Sequence, residues 1–158
     1  MPEGTAERSA SYMKNKITIY TDGGARGNPG PAGIGVVING LSAGKQVFGE
    51  FIGNTTNNEA EYRALITALQ KMIELSGEDK IEKIDCYADS ELMVKQLNGQ
   101  YKVKDSNLRG LFLEVSKLKL KIKASIVFHH IKRAKNAEAD AIYNEVLDAI
   151  VGKKFGER

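Results

Sequence analysis

The chain has little that would mark a secreted or membrane-bound protein. Its one cysteine, Cys86, excludes an intramolecular disulfide and fits a reducing compartment. Residues 1–12 have no apolar core of the kind that a signal peptide needs, and no apolar run approaches transmembrane length. These absences predict a cytoplasmic protein with no membrane partner.

Neither the charge balance nor the glycine-rich stretch at residues 17–35 names a ligand by itself. The formal net charge of +3 permits nucleic acid as a partner but does not require it. The stretch ITIYTDGGARGNPGPAGIG lacks the Gly-Lys-Ser/Thr ending of a P-loop, and no helical pattern follows it. It is therefore not typical of a nucleotide cradle. One acid, Asp22, beside an open and basic turn suits a metal next to a phosphodiester instead.

The pattern of apolar residues predicts one domain over residues 16–151, with disordered tails at 1–15 and 152–158. Strands are expected at Lys16–Thr21, Ala32–Asn39, Lys45–Ile52, Ile81–Ala88 and Ser125–Ile131. Helices are expected from about Asn58 to Ser76, from Asp89 to Leu97, from about Ser106, and from Asn136 to Val151. The alternating stretch at 117–123 fits an extension of either the third helix or the last strand.

The order of these elements is β-β-β-α-β-α-α-β-α, which indicates an α/β fold. A meander followed by alternating helices and strands implies one mixed five-stranded sheet with helices on both faces. Ligands of such sheets gather at the carboxyl ends of the strands. Asp89, at the carboxyl end of the fourth strand, is therefore a better site candidate than Asp85 within that strand.

Helical projections select one acid from each of two acidic pairs. In the first helix Glu61 falls on the face of Leu65 and Leu69, whereas Glu59 points away. In the last helix Asp140 projects towards the side of Leu147, and the acid two residues earlier faces water. Both selected acids face the sheet, where an isolated carboxylate needs a partner.

Four carboxylates thus have reasons to meet: Asp22, Glu61, Asp89 and Asp140. Each alone has a structural explanation, as a turn acid, as a helix cap or as an acid that favours a helix dipole. Together they would repel one another by about 4 kcal/mol per pair at 4 Å and an effective dielectric of 20. A fold tolerates such a cluster only with protons or cations. Oxygen ligands alone favour Mg²⁺, with Mn²⁺ as a substitute.

With these acids in place, the chain resembles a ribonuclease H of type 1. The resemblance rests on four motifs in order: YTDGGARGNPGPAGIG at 20–35, TTNNEAEYRAL at 55–65, YADS at 87–90 and KNAEAD at 135–140. It implies the ribonuclease H-like fold and hydrolysis of the RNA strand of RNA/DNA hybrids by two metal ions. It also implies 5′-phosphate and 3′-hydroxyl products, with Asp22, Glu61, Asp89 and Asp140 as catalytic metal ligands.

The same resemblance implies substrate-binding residues in two of these motifs. They are Gly23, Asn28, Thr56, Asn57 and Asn58, with Thr56 at the position that holds a DNA-strand phosphate. Amides and small hydroxyls can contact sugars and 2′-hydroxyls without reading sequence. The alternative is that these side chains only shape loops and helix caps.

Three departures from the family pattern bear on substrate binding. The segment at 131–136 is too short for the histidine-bearing loop of many members, so Arg133 is the expected cationic substitute. His130 lies in an apolar strand pattern, which favours packing or hydrogen bonding over catalysis. The run that follows Asp140 also differs from the family's and keeps only its last residue, Asn144.

The basic handle of some bacterial members is absent, because residues 99–107 form only a connector. Binding would then depend on Lys102, Lys104, Lys117 and Lys119. The compact form resembles archaeal-type members, some of which also cut double-stranded RNA. Two rivals stay open, a catalytically silent hybrid-binding or RNA-binding module and a DNA-cutting relative. A monomer is expected.

Overall fold

The computed structural model describes residues 15–152 and contains a mixed five-stranded sheet in the order β3-β2-β1-β4-β5. Its strands are β1 (Lys16–Ala25), β2 (Gly30–Asn39), β3 (Gln46–Thr55), β4 (Lys83–Ala88) and β5 (Ser125–His130). The helices are α1 (Asn57–Ser76), α2 (Glu91–Leu97), α3 (Ser106–Lys121) and α4 (Ala137–Val151), with a 3-10 turn at Arg133–Lys135. The predicted α/β fold is confirmed.

Strand β1 lies at the centre of the sheet, and its two neighbours run in opposite directions. It pairs antiparallel with β2, where Asp22 lies opposite Gly35, and parallel with β4, where Thr21 lies opposite Ala88. Asp22 and Asp89 directly follow this last parallel pair. Because parallel strands end at the same edge, both acids come to the carboxyl edge of the sheet.

Helices cover both faces of the sheet, as predicted. Successive residues of a strand point to opposite faces, and in β1 the backbone of Gly23 meets Ala60 of α1 while that of Gly24 meets Tyr143 of α4. On the α1 face the core is formed by buried aliphatic side chains of β1, α1 and β4, among them Ile17, Ile19, Leu65, Leu69 and Ile84.

Several strand boundaries differ from the sequence prediction. The third strand begins one residue later than expected at Gln46, the fourth begins two residues later at Lys83, and the fifth ends one residue earlier at His130. Three further differences are extensions in which backbone pairing continues through glycine. Strand β1 extends beyond Thr21 to Ala25, since Gly23 and Gly24 still pair with β2. Strand β2 starts at Gly30, two residues earlier than expected, and β3 runs on to Thr55. Glycine weakens a strand pattern in the sequence, yet Gly23, Gly24, Gly30 and Gly53 all have a register partner in the neighbouring strand, with an irregularity between Ala32 and Gly33.

The alternating stretch at 117–123 belongs mainly to a helix. Helix α3 runs to Lys121 and ends at Ile122, which takes an extended conformation. Val115 and Leu118 are buried and three residues apart, so a helix places both side chains on the face that packs against the core. In a strand, Leu118 and Leu120 would lie on the same face. Leu120 is 88% exposed, so the alternating pattern does not correspond to one buried strand face.

The predicted tails at 1–15 and 152–158 lie outside the described residues except for Asn15 and Gly152. At one of these boundaries, the carbonyl oxygen of Asn15 accepts a hydrogen bond from the Glu82 N–H at 2.8 Å. Within residues 15–152, no helix combines the length and the apolar character that crossing a bilayer requires.

Candidate active site

Three carboxylates from distant parts of the chain meet at the carboxyl edge of the sheet. Asp22 lies in β1, Glu61 near the start of α1, and Asp89 directly after β4; one oxygen from each lies within 4.8 Å of the others. Asp22 is 3% exposed and Glu61 is 8% exposed, so both are nearly withdrawn from water. Glu61 Oε1 has no hydrogen-bond partner among the described residues. The three acids therefore form a cluster in which two members are buried and Asp89 is half-buried.

Gly23 allows helix α1 to approach the sheet closely enough to form this cluster. A Cβ atom at position 23 would overlap the carbonyl oxygen of Ala60, one residue before Glu61. The Gly23 N–H also donates to Asp22 Oδ1 at 2.9 Å. The residue predicted as a substrate contact therefore has a first role in bringing Glu61 to Asp22.

Burial and neighbouring charges disturb the protonation of Asp22 and Glu61. Burial raises the pKa of Asp22 from 3.8 to about 8, and the charges of Asp89 and Asp140 add to the rise. Burial also raises the pKa of Glu61 well above its usual value, and the charges of Asp22 and Asp89 act in the same direction. The Gly23 N–H and the charge of Arg133 offset only part of both effects. The cluster therefore favours protons or cations over free carboxylates.

The donor set fits a hard divalent cation. All its ligand atoms are carboxylate oxygens, the one cysteine lies elsewhere in the core, and an unpaired buried oxygen on Glu61 points to a missing positive partner. Oxygen-only sites of this type suit Mg²⁺ or Mn²⁺ rather than a softer metal. The acidic triad agrees with the divalent-metal dependence of the family that the sequence resembles.

Asp140, the fourth predicted acid, stands outside the group of three. It occupies the first turn of α4, is half-buried, and lies close enough to raise the pKa of Asp22 by its charge. One turn further along α4, Tyr143 packs its ring against the backbone of Gly24. Burial raises the pKa of Tyr143 to about 12, with the charges of Asp22, Asp140 and Glu61 as further causes. The tyrosine therefore stays a neutral wall of the site.

The predicted asparagine contacts form a reciprocal clamp between the glycine-rich loop and α1. Asn28 Oδ1 accepts the Asn57 backbone N–H at 2.9 Å, and Asn57 Oδ1 accepts the Ala25 N–H at 2.8 Å. Both asparagine side chains are exposed. Because their oxygens are engaged, the two side-chain NH₂ groups are left to donate outward.

Thr56 and Asn58 differ in how the fold uses them. Thr56 is the N-cap of α1: its Oγ1 accepts the Glu59 N–H at 3.2 Å and lies 3.3 Å from Glu59 Oε2, so both side chains take part in the cap. Asn58 is exposed and makes no side-chain hydrogen bond within residues 15–152. Capping the helix is a sufficient structural reason for threonine at position 56, whereas no contact within residues 15–152 accounts for asparagine at position 58.

Two cationic candidates have different surroundings. Arg133 lies exposed in the 3-10 turn, and its charge lowers the pKa of Asp22 and Glu61, which places it beside the acids. His130 is exposed at the end of β5 and makes no side-chain hydrogen bond within residues 15–152, so the expectation that it packs or is hydrogen-bonded was wrong. The histidine with a structural contact is His129, whose Nε2 lies 2.7 Å from Asp85 Oδ1.

Asp85 belongs to a separate charge cluster. Burial pushes its pKa upward, but the His129 hydrogen bond and the nearby Lys16 and Lys83 outweigh burial, so the pKa of Asp85 is lowered. Lys16 Nζ lies 3.4 Å and Lys83 Nζ 3.8 Å from the carboxylate. Asp85 is thus neutralised by protein groups, unlike the triad.

Sequence reasoning missed Arg26, which joins the glycine-rich loop to α4. Its Nη2 lies 2.7 Å from Asp148 Oδ1, 3.2 Å from Asn144 Oδ1 and 3.3 Å from the Asn144 carbonyl oxygen. The Arg26 side chain is only 12% exposed. An acid eight residues after Asp140 on the same helix gives no sequence signal that it pairs with this loop.

Arg26→Met should destabilise the fold, because it removes the ion pair and hydrogen bonds that join the glycine-rich loop to α4. We expect unfolding in urea to become easier by about 2–3 kcal/mol. Lys45→Met is the matched control, since Lys45, which lies directly before β3, also pairs with α4 through Glu138, but with both side chains about half exposed (51% and 52%). That pair should contribute little. Equal effects of the two substitutions would contradict the role given to Arg26.

Known proteins share this fold and sequence. Residues 20–146 match a family model described as reverse transcriptase-like. LC11-RNase H1, isolated from compost by a metagenomic approach and solved in complex with an RNA/DNA hybrid, has a TM-score of 0.78 and 46% identity, covering 85% of this chain and 99% of that chain. The RNase H1 structure from Halobacterium salinarum has a TM-score of 0.77 and 37% identity, covering 85% of this chain and 98% of that chain.

Curated relatives agree but are longer. Ribonuclease HI of Halobacterium salinarum is 38% identical over 134 residues, covering 84% of this chain and 65% of that protein. A bifunctional protein of Mycobacterium tuberculosis is 37% identical over 140 residues, covering 85% of this chain and 36% of that protein. The chain therefore spans between about a third and two thirds of these curated relatives.

The sheet order, the helices on both faces and the acidic triad at the carboxyl edge define the ribonuclease H class of hydrolase folds. Within that class the similarity extends over most of the chain and covers nearly all of the related solved domains. The chain belongs to the ribonuclease H type 1 family.

Proposed function

We propose that the chain is an endoribonuclease that hydrolyses the RNA strand of RNA/DNA hybrids and leaves 5′-phosphate and 3′-hydroxyl ends. The observation that carries the proposal is the convergence of Asp22, Glu61 and Asp89, within which the raised pKa values of buried Asp22 and Glu61 mark a site in need of cations. A module that only binds nucleic acid would gain nothing from carboxylates beside phosphates. The hybrid found in the LC11-RNase H1 structure supports the choice of substrate.

Asp22, Glu61 and Asp89 would hold two Mg²⁺ ions, or Mn²⁺ as a substitute, with Asp140 as the fourth ligand. Bound there, the ions would supply Lewis-acid activation of water and stabilisation of the leaving oxygen. The chain's own groups shape this environment: Tyr143 walls the site on the α4 side and the charge of Arg133 favours the approach of a phosphate.

The contacts to substrate follow from the donors that the fold leaves free. The NH₂ groups of Asn28 and Asn57 can donate to sugar oxygens and 2′-hydroxyls, which favours an RNA strand over DNA. Asn58 adds a third exposed amide beside them. Thr56, at the N-terminus of α1, would contact a DNA-strand phosphate. Gly23, whose side-chain position is filled by α1, would meet the substrate only through its backbone.

Phosphate contacts further from the acids would come from exposed lysines. Lys102 and Lys104 lie in the connector before α3, and Lys117 and Lys119 lie on α3 itself. None of the four forms an ion pair within residues 15–152, although Lys119 Nζ sits 5.3 Å from the centre of the Phe128 ring. We also propose double-stranded RNA as a second substrate, because the compact chain resembles archaeal-type members, some of which cut it. We propose a monomer, because one chain supplies the whole site, and a cytoplasmic location, because the one cysteine fits a reducing compartment.

The test is cleavage of end-labelled RNA/DNA hybrid, double-stranded RNA and double-stranded DNA with Mg²⁺, Mn²⁺ or a chelator. We expect metal-dependent cutting of the hybrid's RNA strand that Asp89→Asn abolishes. Glu138→Gln is the matched control, because this half-exposed acid lies on the same helix as Asp140 but pairs with Lys45. Tight hybrid binding without cutting would favour the silent module, and cutting of DNA would favour the DNA-cutting relative.

A further inference from the structure

We infer that Asn136 is a positioning residue that sets Asp89 against Asp22, an inference that rests on the proposed function. Asn136 directly precedes α4 and is 1% exposed. Its Nδ2 donates two hydrogen bonds, to the Thr21 carbonyl oxygen at 2.8 Å and to Asp89 Oδ2 at 3.0 Å. One amide group thus ties the backbone next to one acid to the side chain of another.

The hydrogen bond from Asn136 to Asp89 lies just beyond the last residue of β4 that pairs with β1. The parallel pairing of β1 with β4 ends at Thr21 and Ala88, and β4 itself ends at Ala88. Asp22 remains fixed by the β2 ladder, whereas Asp89 has left its strand. A carboxylate beyond the last ladder bond can turn about its side-chain torsions unless another group holds it. Asn136 holds one of its oxygens and leaves the other to face a cation.

Only an asparagine-like side chain can do this within the available reach. Both protons of the NH₂ group are used, each on an oxygen that can only accept. Aspartate would bring a fifth negative charge and no N–H, and serine has one proton to donate. Even the helix start gains nothing from this side chain, because Asn136 occupies the N-cap position without making a side-chain cap bond.

The side-chain oxygen of Asn136 is left without a hydrogen bond within residues 15–152, which a residue with a purely structural role would be expected to avoid. Its Oδ1 is buried and has no hydrogen-bond partner among the described residues. Buried carbonyl oxygens are normally paired, so the side chain is oriented for its donors at the expense of its acceptor. Its backbone lies between two further site residues: the Asn136 N–H donates to Arg133, and its carbonyl accepts the Asp140 N–H. Asn136 therefore links three residues of the site, Asp89, Arg133 and Asp140, to the backbone of Thr21 beside Asp22.

The role predicts that removing the amide weakens cation binding and turnover more than substrate binding. Ligand-orienting contacts of this kind change metal affinity by about 10–100-fold when removed. We therefore expect Asn136→Ala to weaken Mn²⁺ binding at least about tenfold by isothermal titration calorimetry, and to lower kcat with little change in the KM for hybrid. Asn136→Ser, which keeps one donor, should lie between Asn136→Ala and the wild type.

Asn98→Ala is the matched control. Asn98 Nδ2 also donates to a strand carbonyl, that of Phe128 at 3.3 Å, but forms no hydrogen bond to a carboxylate of residues 15–152. This variant should lower the melting temperature without changing Mn²⁺ affinity. If the wild-type chain binds no Mn²⁺, the proposed function fails. If the wild type binds Mn²⁺ and Asn136→Ala binds it equally well, only the positioning role is overturned. If neither Asn136 variant folds, Asn136 is a structural residue and the inference is wrong.

Discussion

Asp22→Asn should abolish cleavage and leave the metal-free protein at least as stable as the wild type. The substitution removes a ligand oxygen that would carry negative charge, and it removes the carboxylate on which burial, Asp89 and Asp140 all act unfavourably. The amide keeps the shape of the side chain and can still accept the Gly23 N–H. We expect a loss of activity of about a hundredfold to a thousandfold, the range found when one group that stabilises charge in a transition state is removed.

The stability gain should depend on pH in a definite direction. The pKa of Asp22 is about 8 in the folded state, above its value of 3.8 in an unfolded chain, so between these values the folded state binds more protons. The metal-free wild type therefore loses stability as pH rises through this window, by up to about 1.4 kcal/mol per pKa unit. Coupling with Glu61 shares the proton and reduces the total.

Urea unfolding at pH 5 and pH 8 in the presence of a chelator measures this effect. The difference in unfolding free energy between Asp22→Asn and the wild type should be larger at pH 8. Added Mg²⁺ should stabilise the wild type and reduce the difference, because a ligand of the folded state raises its stability. An Asp22→Asn protein that unfolds at both pH values would show that Asp22 is structural and that the site has been misinterpreted.

Gly35→Ala should give the largest loss of stability among single-methyl additions in the sheet. Gly35 lies opposite Asp22 in β2, and a Cβ there would overlap the Ala139 carbonyl oxygen and come within 3.1 Å of Ile142 Cβ. Since the overlapping atom is backbone, α4 must move as a whole. We expect a loss of about 3 kcal/mol, at the upper end for overpacking, and reduced activity because Asp140 moves with the helix.

Gly110→Ala is the control for this prediction. Gly110 lies exposed within α3, and nothing stands within 4 Å of a Cβ placed there. Alanine in a helix interior is favoured over glycine by about 0.5–1 kcal/mol, so this variant should become more stable. Thermal unfolding of both proteins gives the comparison. A Gly35→Ala protein as stable as the wild type would mean that α4 does not pack on β2 as described.

The sequence predicted those parts of the site that depend on local periodicity. Helical projection placed Glu61 towards the sheet, and the chain buries it; the strand-end rule favoured Asp89 over Asp85, and only Asp89 joins the triad. Asp140, chosen by the same projection, is half-buried and outside the group of three. The ligand roles of all four acids stay predictions until metal binding is measured.

Features that depend on contacts between distant segments could not be predicted in this way. The partners of Asn136 come from the ends of β1 and β4, and nothing near position 136 encodes them. The pairing of Arg26 with Asp148 likewise joins a loop to the last helix. The strict alternation at 117–123 was ambiguous between helix and strand. The choice depends on which of its side chains are buried against other elements, and the local sequence does not contain that information.

The mixed pairing of β1 also bears on how fast the chain folds. The β1–β2–β3 meander consists of neighbouring segments and can form early, whereas the parallel β1–β4 pair must close a long loop. Closing that loop is the step that first brings Asp22 and Asp89 together. Repulsion between Asp22 and Asp89 therefore opposes the association of β4 with the β1–β2–β3 meander, if the meander forms first. A divalent cation present during refolding should act mainly by speeding this association if the acids already meet in the transition state, and by slowing unfolding if they do not.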